Sequence, residues 1–355
     1  MVKFKNYIFF LFLGLLFSLK ANAQIDKTFW FAAPEVTSLH TDRPIKFVLS
    51  AFDKPATVTI SQPANALNFS PIVVNIPANG VQIIDLTTRI NEVETFGNLS
   101  SGDAGIDNSG ILIQSTELIS GYYEVGPAGN DDLFSLKGSN ALGKEFIITS
   151  QLVGANANNW FARNRAYIVA TENNTIITIT PRLTLVGGAT GGVPFNVTLQ
   201  RGEVFVITAD GTWATCCGAG WTSSGRLKQL GGTIVTSNKP VAITLSDDSV
   251  GHLANGTGAD LNGDQLIPTS LAGKEFITAK GNLGLTTIGS PAIKIGGGAL
   301  ISDVVHVYPI NANTTIQVNG GTATSAKGPG EFFILENASG AALSITSSDS
   351  VLVYQ

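Results

Sequence analysis

Arg165-Ala166-Tyr167-Ile168-Val169-Ala170 runs through Glu172-Asn173-Asn174 into Thr175-Ile176-Ile177-Thr178-Ile179, and this stretch decides the fold class. Its second half alternates Thr with aliphatic residues, the period of a strand with one buried face. The Asn pair between the halves is turn chemistry, so the stretch reads as a hairpin. Phe195 to Gln200 and Glu203 to Thr208 read as a second hairpin across Arg201-Gly202. Gly232 to Thr236 and Val241 to Leu245 read as a third, with Ser237-Asn238-Lys239-Pro240 as its turn. No stretch beyond the first 23 residues holds helical periodicity for three turns, and Gly and Pro punctuate the chain too often for long helices. The fold class is all-β.

The same landmarks recur in the same order in three blocks of roughly 120 residues, a period at which internal repeats define the architecture. Each block opens on an aromatic strand with a charged lead-in: Lys27-Thr28-Phe29-Trp30, Gly143-Lys144-Glu145-Phe146 and Gly273-Lys274-Glu275-Phe276. A Thr/aliphatic strand follows: Thr57-Val58-Thr59-Ile60, Thr175 to Ile179, and Thr315-Ile316-Gln317-Val318. Then comes a glycine turn at Gly80, Gly202 or Gly330, and last a Ser-bearing turn at Ser115, Ser237 or Ser347. Each block holds about seven short strands at sandwich-like spacing. The expected architecture is three tandem β-sandwich-like repeats packed together, over 24–140, 141–270 and 271–355. A β-propeller with two blades per repeat is the alternative. The links Gly126 to Asn140 and Asp247 to Ser270 read as long acidic loops, and the third block ends on a strand at Tyr354-Gln355, as a chain truncated before further domains would.

Residues 1–23 carry Lys3 and Lys5, an apolar run from Tyr7 to Leu19, and Ala21-Asn22-Ala23, the plan of a secretory signal peptide. The run is short of the about 20 residues of a membrane span, so no span is expected in the mature chain. The formal net charge of −5 includes the leader's Lys3, Lys5 and Lys20, leaving −8 for the remainder. An acidic chain poor in Lys and Arg has no face for neutralising phosphates, which argues against nucleic acid.

Four aromatic residues stand out as candidate ligand-binding residues. Trp160 and Phe161 follow an Asn-rich stretch, and Trp213 and Trp221 flank the two cysteines. Rings on polar loops stack on sugars or anchor protein partners; the plainer reading is that they cap the sandwich cores. Cys216 and Cys217 are adjacent, and in an oxidising compartment they form a vicinal disulfide, stay as two thiols, or pair with another chain. Asp260, Asn262 and Asp264 place oxygen donors at alternate positions like the first half of a calcium loop, although Gln265 stands where the sharp turn wants Gly and Leu271 where the closing Glu belongs. The plainer reading is a solvated acidic loop, with no cofactor. His306 sits in an alternating strand and reads as a structural or surface position, His40 lies in a polar loop, and His252 lies in the acidic link. No Gly-x-Ser-x-Gly elbow or Ser, His and Asp set in a hydrolase context is present.

The Gly-Lys-Glu-Phe openings resemble the N-terminal domain of IgG Fc-binding protein, a family with many secreted bacterial members. So do the Glu172-Asn173-Asn174-Thr175 and Arg201-Gly202-Glu203 turns, Ser237-Asn238-Lys239-Pro240-Val241-Ala242, and Asp264-Gln265-Leu266-Ile267-Pro268. The likeness is densest over 140–280. The first block departs from it, with Thr28 where the others carry Glu145 and Glu275, and Leu118 where the second carries Pro240. The resemblance implies a secreted or cell-surface adhesion module, bacterial and without catalytic residues, that meets an extracellular protein or glycan through its loops. An architectural spacer of a larger surface protein is the second reading and a carbohydrate-active enzyme the third.

Overall fold

The computed structural model describes residues 24–36, 43–95, 105–126, 131–150, 164–209, 229–251, 259–279, 293–295, 303–337 and 341–355. Residues 1–23, His40 and His252 lie outside them. The protein is all-β, built of three large sheets of seven, eight and six strands that curl into sandwich- or barrel-like units rather than propeller blades. One long strand runs through each sheet: Ile111–Val125, Ile234–Gly251 and Leu343–Tyr354.

The opening strands Asp26–Phe31, Gly143–Ile147 and Gly273–Thr278 pair antiparallel with the first halves of these long strands. Phe29 lies opposite Ile113, Phe146 opposite Val235 and Phe276 opposite Ile345. The register then slips at one place in all three sheets. From Thr28↔Gln114 to Asp26↔Ile119 the opening strand moves two residues while the long strand moves five. The step is the same from Glu145↔Thr236 to Gly143↔Val241 and from Glu275↔Thr346 to Gly273↔Val351. Extra residues on one strand bend it and increase its twist. The long strand therefore crosses from one layer of the sandwich to the other at Ser115–Leu118, Ser237–Pro240 and Ser347–Ser350. What reads in the sequence as a Ser-bearing turn between two strands is a bulge inside one strand. Pro240 is tolerated because its missing N–H falls within the bulge.

Side chains hold the bulge open. Lys27 Nζ donates to Thr116 O (2.7 Å) and Lys274 Nζ to Ser348 O (3.4 Å), which gives the charged lead-in a structural role. Thr116 Oγ1, Asn238 Oδ1 and Ser348 Oγ accept the backbone N–H groups of Thr57, Ile176 and Thr315 at 3.0, 2.9 and 2.9 Å. In this way the next strand is locked to the bend.

The three expected hairpins are not hairpins. Asn164–Ala170 pairs with the second half of the long strand and Thr175–Thr180 with its first half, so the Asn turn between them carries the chain around the corner from one layer to the other. Phe195–Leu199 pairs with Thr175–Thr180 whereas Val204–Thr208 pairs with Asn164–Ala170, so the Gly202 turn also joins layers. The turns superpose with one correction. Gly80, Glu203 and Glu331 each donate an N–H three residues back, to Pro77, Gln200 and Gly328. The left-handed residue of each turn is thus Asn79 (φ 56°), Gly202 (87°) and Gly330 (86°), and Gly80 is not the counterpart of Gly202. Asn tolerates this region better than other residues with a side chain. The supposed acidic links contain strands as well: Asp132–Ser135 and Ala259–Gln265 pair with the second halves of the first two long strands.

Cores form between the layers. The first is aromatic, with Phe31 and Tyr123 in ring contact with each other and with both Phe47 and Phe134 at 5.3–6.3 Å. The second centres on Phe146, Ile168, Ile177, Val235 and Ile243, and the third on Val305, Val307, Phe333 and Ile345. Asn164–Ala170 is buried at every residue because its other face is covered too. Tyr167 and Val169, with Val204, Val206 and Ala242, pack on Trp30 and Leu112 of the first unit. A second seam joins Ile147 to Tyr308, Leu352 and Phe332 of the third unit. Arg201 lies 5.3 Å over the Trp30 ring in the first seam, and Arg182 lies 5.4 Å over Phe332 in the second.

Both seams close on glycine. A Cβ on Gly110 would lie 2.4 Å from Gly202 O, and one on Gly232 would lie 2.6 Å from Gly330 O. Gly110→Ala is therefore expected to lower the free energy of unfolding by about 1–3 kcal/mol, the usual cost of overpacking. Urea titration with the variant beside the parent measures this. An unchanged midpoint would mean that the seam does not depend on the close approach.

Candidate functional site

Asn164 opens a strand that is otherwise apolar apart from Arg165, and only 5% of it is exposed. A buried amide needs partners, and Asn164 finds them on three separate segments. Its Oδ1 accepts from Ser150 Oγ (2.8 Å) and from the Leu230 N–H (2.9 Å). Its backbone O accepts the Ala209 N–H at 3.0 Å. Ser150, Asn164, Ala209 and Leu230 are the stems of segments 151–163 and 210–228. Those segments contain Trp160, Phe161, Trp213, Trp221, Cys216 and Cys217, all of which lie outside the described residues. One residue thus ties together the described ends that flank both segments, at one corner of the second unit.

That corner adjoins the second seam. Ser150 donates its N–H to Tyr308 Oη (3.0 Å), and Tyr308 Oη donates back to Ser150 O (2.9 Å). Burial raises the pKa of Tyr308, so its proton stays in place to serve this pair. Beside it lies a cleft of about 190 Å³, lined by Ser150, Asn262, Asp264, Leu266, His306 and Tyr354 among others. The cleft is smaller than the roughly 300 Å³ at which drug-sized ligand pockets begin. It suits water or a single polar group. His306, read in the sequence as a structural or surface position, is fully buried, and desolvation lowers its pKa to about 4. Its Nε2 has no hydrogen-bond partner among the described residues. Burial also pushes the Tyr354 phenol up to about 12. The lining mixes polar and apolar side chains, and Asp264 is the acidic one among them.

Asp264 is already engaged. Its Oδ1 accepts the N–H groups of Ser135 (3.0 Å) and Gln265 (2.8 Å), and its Oδ2 pairs with Lys137. Gln265 Nε2 donates to Trp30 O (2.6 Å) and Gln265 Oε1 accepts the Lys137 N–H (2.9 Å). The segment read as a calcium loop, Asp260, Asn262 and Asp264, is a strand paired with the long strand, with Asn262 opposite Asp247. Its acidic end clamps the second unit to the link from the first. No group of three or more His, Cys, Asp or Glu able to hold a metal occurs among the described residues, nor does a helix long and apolar enough to cross a membrane. Asn164, Ser150 and Tyr308 were not singled out by sequence reasoning. The one hint was an Asn leading into a buried strand, and its partners lie too far along the chain to infer.

Residues 133–355 match the family model described as IgGFc binding protein. No curated protein matches the chain. A solved structure from "Structural insight into host cell surface retention of a 1.5-MDa bacterial ice-binding adhesin" aligns at 11% identity, covering 94% of this chain and 88% of the other with a TM-score of 0.14.

Two outcomes are expected. Asn164→Ala leaves Ser150 Oγ and the Leu230 N–H without their partner, so unfolding should become easier by about 1–3 kcal/mol. Limited proteolysis should then cut faster within 151–163 and 210–228; equal cutting rates would show that Asn164 does not hold the stems. His306 has its folded-state pKa depressed from 6.5 to about 4, so the unfolded chain takes up the proton first. Stability should be complete above about pH 6.5 and fall as the pH drops toward 4, by on the order of 3 kcal/mol. Comparing denaturation curves of the parent and His306→Phe over that range isolates the contribution, since the variant should lose this part of the slope.

Proposed function

The chain belongs to the IgGFc binding protein family, a non-enzymatic family of extracellular-type binding domains, and on that footing we propose that it is a secreted or surface-displayed adhesion module that recognises protein or glycan without catalysis. The observation that carries the reading is the Asn164 node, which roots the Trp160/Phe161 segment and the Trp213/Trp221 segment at one corner. Aromatic rings are the commonest anchors of a recognition surface. A rigid two-layer unit lowers the entropy lost on binding. The leader at 1–23 delivers the module to the outside of the cell, where Cys216 and Cys217 are free to oxidise.

A spacer role is the second reading, supported by the two buried seams, which make the three units one stiff body. The test that separates the two is a screen of residues 24–355 against glycan arrays, mucins and immunoglobulin Fc. Alanine variants of Trp160, Phe161, Trp213 and Trp221 would then be assayed on whatever is retained. The adhesion reading predicts that at least two of these variants weaken binding about tenfold or more, roughly 1.4 kcal/mol each, with unchanged thermal unfolding. Variants that lose stability while binding normally would mark the rings as core caps.

A further inference from the structure

The two seams are the same interface used twice. In the first, Trp30, opposite Leu112 on the opening strand, presses outward onto the next unit; in the second, Ile147, opposite Ile234, occupies that place. The receiving faces correspond too. Ile168 pairs with both Phe205 and Ile243, and Val307 with both Phe333 and Val353, so Val169, Val204 and Ala242 match Tyr308, Phe332 and Leu352. Those six residues belong to the apolar clusters that hold Trp30 and Ile147. Gly110 against Gly202 and Gly232 against Gly330 complete the correspondence.

The same register identifies the unused halves. On the third unit the residue in the place of Trp30 is Ile277, opposite Ser344, and it is 81% exposed. On the first unit the residues in the places of Val204 and Val206 are Val81 and Ile83, 60% and 58% exposed. Ser50 and Ser120 stand where the internal seams have Val169 and Ala242. One end of the chain thus presents the pressing half of an interface and the other end the receiving half. We propose that these ends join, Ile277 of one copy packing on Val81 and Ile83 of the next, in head-to-tail self-association of the chain.

Such a contact is heterologous, so it builds open strings or rings instead of closing at a dimer. It is also weaker than the internal seams, for three reasons. Two serines replace apolar residues on the receiving face. Asn79 and Ala342 carry side chains where the internal seams bring glycine to glycine. No peptide link raises the local concentration. Association is therefore reversible and concentration-dependent, favoured where many copies are displayed together.

Sedimentation velocity of residues 24–355 over a wide concentration range reads the proposal. The parent should form a concentration-dependent series of oligomers, and Ile277→Asp alone, or Val81→Asp with Ile83→Asp, should each shift that series to at least about tenfold higher concentration. All three side chains are exposed, so neither variant disturbs a core. Mixing the two variants should restore a species that stops at the dimer, because each retains one different half. Asn79→Gly with Ala342→Gly should strengthen association. A parent that stays monomeric throughout would overturn the proposal and leave the end faces to another partner. Single-end variants that associate as well as the parent, or a mixture that remains monomeric, would overturn it equally.

Discussion

Each unit depends on one long strand that serves both layers of its sandwich. A flat strand this long would run out of the core, and its two halves would face the same way. The bulge at Ser115, Ser237 and Ser347 turns it, so that its first half pairs with the opening strand and its second half with Ile45–Ala51, Asn164–Ala170 or Asp303–Pro309. Every other strand takes its place from this bend. The Lys of the opening strand serves the bend in the first and third units, and the polar side chain one residue into the bulge serves it in all three, because the bend leaves backbone carbonyls and N–H groups without ladder partners.

The bend also produces the outer faces from which the seams are made. Once the layers are full, residues such as Trp30, Tyr167 and Val169 face away from their own cores, and only a neighbouring unit can cover them. Full burial of a ring the size of Trp30 is worth on the order of 3–5 kcal/mol, a large part of a domain's marginal stability. The units are therefore coupled. The coupling places the Asn164 corner, where the described ends of the aromatic-bearing segments meet, beside the second seam. It is this geometry, rather than any reactive group, on which the recognition reading rests.

Strand positions and the aromatic openings were legible in the sequence because alternation and turn chemistry are local. Partners were not. Glu172-Asn173-Asn174 looks the same whether it joins two paired strands or carries the chain between layers, and the difference lies in the long strand some 60 residues further on. Ser237-Asn238-Lys239-Pro240 looks like the end of a strand because Pro ends most strands, and only a bulge makes it an interior. Ala259–Gln265 is rich in Asp, Asn and Gly, so its strand character comes from pairing and not from propensity. Gly80 drew attention from Asn79 because Gly is the commoner left-handed residue. The site was half legible: the rings announced themselves, whereas the amide that gathers their segments did not.

The central claim is that the seams join the units into one cooperative body. It is tested most directly by equilibrium unfolding of a variant in which Trp160, Trp213 and Trp221 are Phe, leaving Trp30 as the only tryptophan. Trp30 fluorescence reports the first seam, and far-ultraviolet circular dichroism reports all the sheets. The account predicts a single denaturant transition in which the two signals coincide. Exposure of Trp30 well before the sheets unfold would contradict it, because the units would then stand without their seam.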